Sequence, residues 1–107
     1  MKLLWLPEAV SDLDGIYDYY AIHNPRAAAV LYNSILDDAQ ALRTNPLIAP
    51  KEPLLEDAPR EYRSLLVAKE KYKLIYTILE EKGVLIIHVF ACRQNPAKLQ
   101  VTTLRRI

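Results

Sequence analysis

Apolar residues recur along the chain with two different periods. From Pro7 to about Ile22 they fall at Ala9, Leu13, Ile16, Tyr17 and Tyr20, which is one face of a helix. Asp12, Asp14 and Asp18 decorate the other side and read as a solvated face. Pro7 suits the first helical position, and Glu8 the positive end of the helix dipole. Gly15 weakens the helix and marks a place of close packing. A second stripe, Ala27, Val30, Leu31, Ser34, Ile35, Ala39 and Leu42, follows the restart signal Asn24-Pro25. It should end near Thr44, because Asn45-Pro46 cannot continue it. Two helices joined by so short a connection pack as an antiparallel hairpin.

The remaining periodic segments read as strands. Met1–Leu6 is short and apolar. Tyr62–Ala68, Tyr72–Glu80 and Val84–Cys92 are rich in β-branched and aromatic residues. Tight turns separate them at Lys69-Glu70-Lys71 and at Glu81-Lys82-Gly83, where Gly83 is free to take positive φ. Val84–Cys92 is apolar almost throughout, which predicts a central strand buried on both faces. Asn45 to Arg60 holds four of the seven prolines, so it is neither a central strand nor a long helix. Its length exceeds that of ordinary connections, the range where functional or mobile loops are found. The order β-α-α-β-β-β predicts an α+β fold, a helical hairpin packed on a mostly antiparallel four-stranded sheet. The hairpin covers one face of that sheet; the tail Ala97–Ile107, or a partner, must cover the other.

Composition narrows the reading. At 107 residues the chain is a single domain, 1–107, able to bury a core without staples. Cys92 is the only cysteine and late in an apolar strand, so a buried structural thiol is expected, in keeping with a reducing compartment. Pro7-Glu8 ends the apolar start too early for a signal peptide, and no apolar run is long enough to cross a bilayer, which predicts a cytoplasmic protein without a membrane partner. Charge is unevenly spread. Up to Pro59 nine Asp/Glu face four Lys/Arg; from Arg60 onward ten Lys/Arg face four Asp/Glu. The second half therefore builds a basic surface, or attracts the acidic helical face within the fold.

Within that half, Arg63 opens one strand, Lys73 opens the next, and Arg93 follows the last. Three cations at strand ends could cradle a phosphate, with the Arg93 guanidinium as the best clamp. The alternative is that they reach into solvent or pair with Glu61, Glu80 and Glu81. Strict alternation puts Arg93 with Val89 and Ala91, opposite His88 and Phe90; a bulge at Cys92 would reverse that, so the face of Arg93 is open. Metal and cofactor sites are not expected. His23 and His88 stand alone, and two glycines cannot form a phosphate loop. His88 is either a hydrogen-bonded structural histidine or a partner in the site.

Taken in order, these pieces resemble the RelE/ParE superfamily of bacterial toxins from type II toxin–antitoxin (plasmid stabilisation) modules. The resemblance rests on Trp5-x-x-x-Ala9-x-x-x-Leu13-x-x-Ile16-x-x-Tyr19, on Tyr62-Arg63-x-Leu65, on Tyr72-Lys73-Leu74-Ile75-Tyr76, and on Val84–Phe90 closing in Arg93-Gln94-Asn95-Pro96. It implies a growth-arresting toxin neutralised by a cognate antitoxin. RelE-like members cut ribosome-bound mRNA with a basic cluster and, in some, a tyrosine; ParE-like members poison DNA gyrase. The ribonuclease pattern carries over to Arg63, Lys73 and Arg93 as tentative catalytic residues, with His88 as a partner. It fails at Leu65, where a second basic residue would stand, and at Leu99, where the tyrosine would stand. Cleavage needs a base and a proton donor, and arginine is a poor base, which leaves His88 or Lys73 as the remaining candidates for the base. The ParE-like reading is therefore favoured over the ribosome-dependent endoribonuclease. A decayed, non-toxic antitoxin-binding module is the third reading.

Overall fold

The computed structural model describes all 107 residues, Met1–Ile107. Strand β1 is Leu3–Trp5, and helices α1 (Pro7–Ala21) and α2 (Pro25–Ala39) follow. Asn24 caps α2 by accepting a hydrogen bond from the Ala27 N–H at 3.0 Å. The predicted second helix breaks at Gln40, and its last turn becomes a short α3, Ala41–Thr44. Strands β2 (Arg63–Val67), β3 (Tyr72–Ile78) and β4 (Val84–Ala91) come next, and α4 (Pro96–Arg106) ends the chain. The sheet order is β1-β4-β3-β2, with β1 parallel to β4 and the other pairs antiparallel. The almost wholly apolar β4 is indeed central.

Alternation sends one set of side chains to the helical hairpin and the other to α4. Leu74, Tyr76, Val84, Ile86 and Val89 join Leu13, Ile35 and Leu42 in the larger core. Ile75, Ile87 and Phe90 join Leu99 of α4 and Leu55 of the proline-rich segment in a smaller one. The tail itself thus supplies the second cover. The register slips between Ile75 and Tyr76, which pair with His88 and Ile86 and leave Ile87 as the extra residue of a bulge. The bulge lets Ile87 and His88 both face α4 before alternation resumes.

Two turns carry conformational demands. Gly83 has φ +126°, and a Cβ there would meet the Lys2 carbonyl oxygen, so only glycine lets the chain approach β1 this closely. Between β2 and β3, Ala68, Lys69 and Glu70 are all left-handed, with φ of 52°, 55° and 68°. Such residues cost on the order of 1 kcal/mol each. Part of that is offset by Asp38 on α2, which accepts from the Ala68 N–H at 2.8 Å. The proline-rich segment is pinned too: the Glu52 N–H donates to the Tyr62 carbonyl at 2.9 Å, and the Ser64 N–H to that of Pro50 at 3.1 Å. Cys92 departs from expectation. The strand stops at Ala91, so the thiol lies exposed in the turn before α4 rather than in the core. No helix is long and apolar enough to cross a membrane.

Helix α4 is held by a polar junction. The Arg106 guanidinium donates to both Asp12 oxygens, at 2.7 and 2.9 Å, and to the Ile87 carbonyl at 2.9 Å. Asp12 also accepts from the Val89 N–H at 3.0 Å. The predicted solvated role of Asp12 is thus corrected: α1 turns this carboxylate toward the bulge. His88 is buried and bonded through Nδ1 to the Thr103 hydroxyl at 3.0 Å. Burial pushes its pKa down to about 4; Asp12 opposes this and Arg106 adds to it. A histidine depressed in the folded state contributes stability that is complete above the unfolded value of 6.5 and is lost as pH falls toward 4. The melting temperature should therefore decline over that interval, and His88→Gln should flatten the decline. A profile unchanged by the substitution would show that another group carries it.

Candidate functional site

The sheet separates the three sequence-predicted cations. Arg63 pairs in register with Tyr76, and Lys73 with Leu66 and Phe90. Arg63 and Lys73 lie an odd number of positions apart along the ladder, so they leave opposite faces. Arg63 and Arg93 share the hairpin face but sit at opposite ends, roughly 20 Å apart along the strands. No common phosphate cradle forms, which corrects the expectation of a joint site.

Two of the three are engaged internally. Arg63 donates to the Ala49 carbonyl at 2.7 Å and pairs with Glu61 at 3.3 Å, one of the partners that sequence suggested. Lys73 pairs with Glu52 at 2.9 Å, not with Glu80 or Glu81. The Glu52 side chain is only 1% exposed. Burial works to raise its carboxyl, but the Leu54 N–H and the Lys73 ammonium more than offset this and hold it below the usual range. Lys73 is the counter-ion of a buried carboxylate, a structural duty. His88 is buried and bonded to Thr103 of α4, and it also lines the cleft that holds Arg93. The two leucines at positions that a RelE-like resemblance would make polar also serve packing. Leu65 is half-buried against the larger core, and Leu99 is fully buried in the smaller one. No group of three His, Cys, Asp or Glu side chains is placed to hold a metal ion.

Arg93 is different. It lies in the turn beyond β4, on the α1 side, and donates to the Tyr20 hydroxyl at 3.1 Å. No carboxylate lies within ion-pair distance of Arg93 or of the neighbouring Lys71. The guanidinium holds the Tyr20 phenol below the usual tyrosine range, with Tyr72 adding to the effect. Tyr72, whose ring is buried, is pushed up to about 12, mainly by burial and then by Tyr20. These groups line two adjoining clefts of about 380 and 480 Å³ that share Tyr20, Tyr72, Ala91 and Arg93. Sequence periodicity places Tyr20 in the core stripe and Lys71 in a turn. The signal that could have found the cleft was the tyrosine cluster at the end of α1, Tyr17, Tyr19 and Tyr20.

A third depression abuts the same pole of the molecule. A groove of about 480 Å³ runs between α2 and the β2–β3 turn, with Val30, Leu31 and Ala68 as its floor and Arg26, Lys69 and Lys71 at its rim. No carboxylate lines it. Val30 is 65% exposed, although its stripe predicts core. Ala27 and Val30 therefore keep helical periodicity while exposed, and Leu31 beside them is only half-buried against the larger core. The strained β2–β3 turn holds Lys69 and Lys71 at this edge.

A family profile described as the ParE toxin of type II toxin–antitoxin systems, parDE, matches residues 3–96. The match stops where α4 begins. A chain of the chromosomal ParDE TA system from P. aeruginosa has a similar structure, with a TM-score of 0.71 at 23% identity, over 85% of this chain and 95% of that one. At this identity the likeness shows the fold. No curated protein is significantly similar in sequence.

The division of cations into engaged and available ones has a direct test in thermal melting. Lys73→Met strands the buried Glu52 carboxylate and should cost about 2 kcal/mol, less than the ~3–5 of a fully buried pair. Arg93→Ala should change stability by no more than about 0.5 kcal/mol. The reverse order would mean that Arg93, not Lys73, is the structural cation.

Proposed function

We propose that this chain, which belongs to the ParE toxin family of type II toxin–antitoxin systems, arrests growth by binding its target, with DNA gyrase as that target, and is neutralised by a cognate antitoxin. The observation that carries the binding reading is the fate of the positions a ribonuclease would use. Leu65 and Leu99 are packed in the two cores, Lys73 is consumed by Glu52, and His88 is bonded to Thr103. In-line cleavage of RNA needs a base and a proton donor beside the phosphate. Beside the phenols and Lys71, the clefts around Arg93 hold only Asp12, which is taken up by Arg106, and the buried His88, whose Nδ1 is bonded to Thr103; neither Leu65 nor Leu99 can supply the missing groups.

The α2 groove supports the neutralisation half of the reading. An apolar floor with a cationic rim complements an amphipathic segment bearing carboxylates, laid helix-in-groove. The antitoxin would supply that segment and would cover the exposed Val30 and the open side of the half-buried Leu31. Its charge complementarity would speed encounter more than it adds affinity.

Induction of the chain alone should stop growth, and co-expression of the small reading frame beside it should restore growth. Val30→Asp, at an exposed position, should leave the arrest intact and abolish the rescue. Unimpeded growth under strong induction contradicts the toxin reading. Rescue that survives Val30→Asp places the antitoxin elsewhere on the surface. The purified chain should also block supercoiling by gyrase in vitro, and unchanged supercoiling contradicts that choice of target.

A further inference from the structure

The cleft around Arg93 has a chemistry that the α2 groove lacks. Arg93 is fully exposed and is oriented by one hydrogen bond to a neutral group, the Tyr20 hydroxyl. It makes one side-chain hydrogen bond and no ion pair, and a guanidinium offers five N–H donors in a planar fork. Lys71 stands on the wall of the adjoining cleft. The only carboxylate lining either cleft is Asp12, which is occupied by the fork of Arg106. The local field therefore favours an anion, although α1 as a whole is acidic. Asp14 and Asp18 open onto a separate depression with Tyr17 and Tyr32.

The second component is aromatic. Tyr19 is 64% exposed, a large apolar ring in water. It meets Tyr20 edge to face, with centroids 5.1 Å apart and planes at 89°. That geometry leaves ring surface open beside the guanidinium. A free cation next to an uncovered aromatic face is the pairing that holds a phosphate and stacks the adjoining base. Base stacking needs a base that is not paired within a duplex. The cleft volumes lie within the usual range for small-ligand sites.

We propose that Arg93, Lys71, Tyr19 and Tyr20 form a binding site for a single-stranded nucleic-acid segment, with a phosphodiester on the two cations and an unpaired base against the tyrosines. The site binds without cutting, for want of the base and donor described above. It is independent of the growth-arrest reading, because it concerns what the isolated chain binds. A carboxylate-bearing peptide would also use Arg93 and Lys71 but would gain little from Tyr19, and this separates the two.

Fluorescence anisotropy of a short labelled oligothymidylate, at several salt concentrations, tests the proposal. Arg93→Ala should weaken binding about tenfold and reduce the slope of log affinity against log salt by about 0.7, the value for one single-strand phosphate contact. Tyr19→Ala should weaken it by a similar factor and leave the slope unchanged, while Tyr19→Phe should retain affinity. Lys82→Ala, in the turn between β3 and β4, should change neither. A matching oligouridylate tells a DNA strand from an RNA strand, and tight binding of either one supports the site. A fully paired duplex should bind more weakly. Absence of binding at low salt, indifference to Tyr19→Ala, or equal loss with Lys82→Ala would overturn it.

Discussion

One carboxylate ties the architecture together. Asp12 reaches from α1 across the bulge in β4, accepts the Val89 N–H, and takes both prongs of Arg106 from the last helix. Arg106 in turn covers the Ile87 carbonyl at the same irregularity. β1 pairs with β4 only as far as Ile86, so this junction supplies partners where the parallel neighbour ends. Its side chains are only 15% and 20% exposed, so solvent screens the pair weakly. The bulge, the docking of α4 and the burial of His88 and Leu99 depend on one another through it. With α4 in place the sheet is covered on both faces, and chemistry is left to the rim.

At the rim the fold sorts its cations by what lies near them. Lys73 meets a carboxylate that the proline-rich segment has buried, and Arg63 meets a backbone carbonyl. Both are fixed by groups whose own desolvation must be compensated. Arg93 emerges after the strand has ended, beyond the reach of any carboxylate, and finds only a phenol. An ion pair within the fold lowers a cation's capacity for outside partners. A phenol orients the guanidinium without neutralising it. The basic character of the second half of the chain is therefore expressed mainly at one pole, where Arg26, Lys69, Lys71 and Arg93 surround apolar and aromatic surface.

Much of this was legible in the chain. Helical stripes at Ala9–Tyr20 and Ala27–Leu42, the Asn-Pro signals at 24–25 and 45–46, and the apolar run of β4 define the layers. The face of Arg93 was open in the sequence, because it follows the last strand residue, where alternation no longer applies. What periodicity could not reveal were contacts between distant residues. Asp12 looks like its neighbours Asp14 and Asp18, and only the bulge and Arg106, 94 residues away, make it structural. Glu52 sits in a segment without period, so its burial is invisible until β3 passes beneath it. Cys92 read as core because the apolar run continues one residue past the last ladder pair. Val30 and Tyr20 obey the helical pattern while lining open depressions, since a stripe reports which face is apolar and not what covers it.

The central claim is the proposal that this sheet serves as a recognition surface rather than a cutting site. Its most direct test is the integrity of translated mRNA in a ribosome-loaded extract supplied with the purified chain. Intact message, at concentrations of the chain that arrest growth in cells, is the predicted result. Cleavage within ribosome-bound message that disappears with Arg93→Ala would contradict the account and would show that the site works without the groups replaced by Leu65 and Leu99.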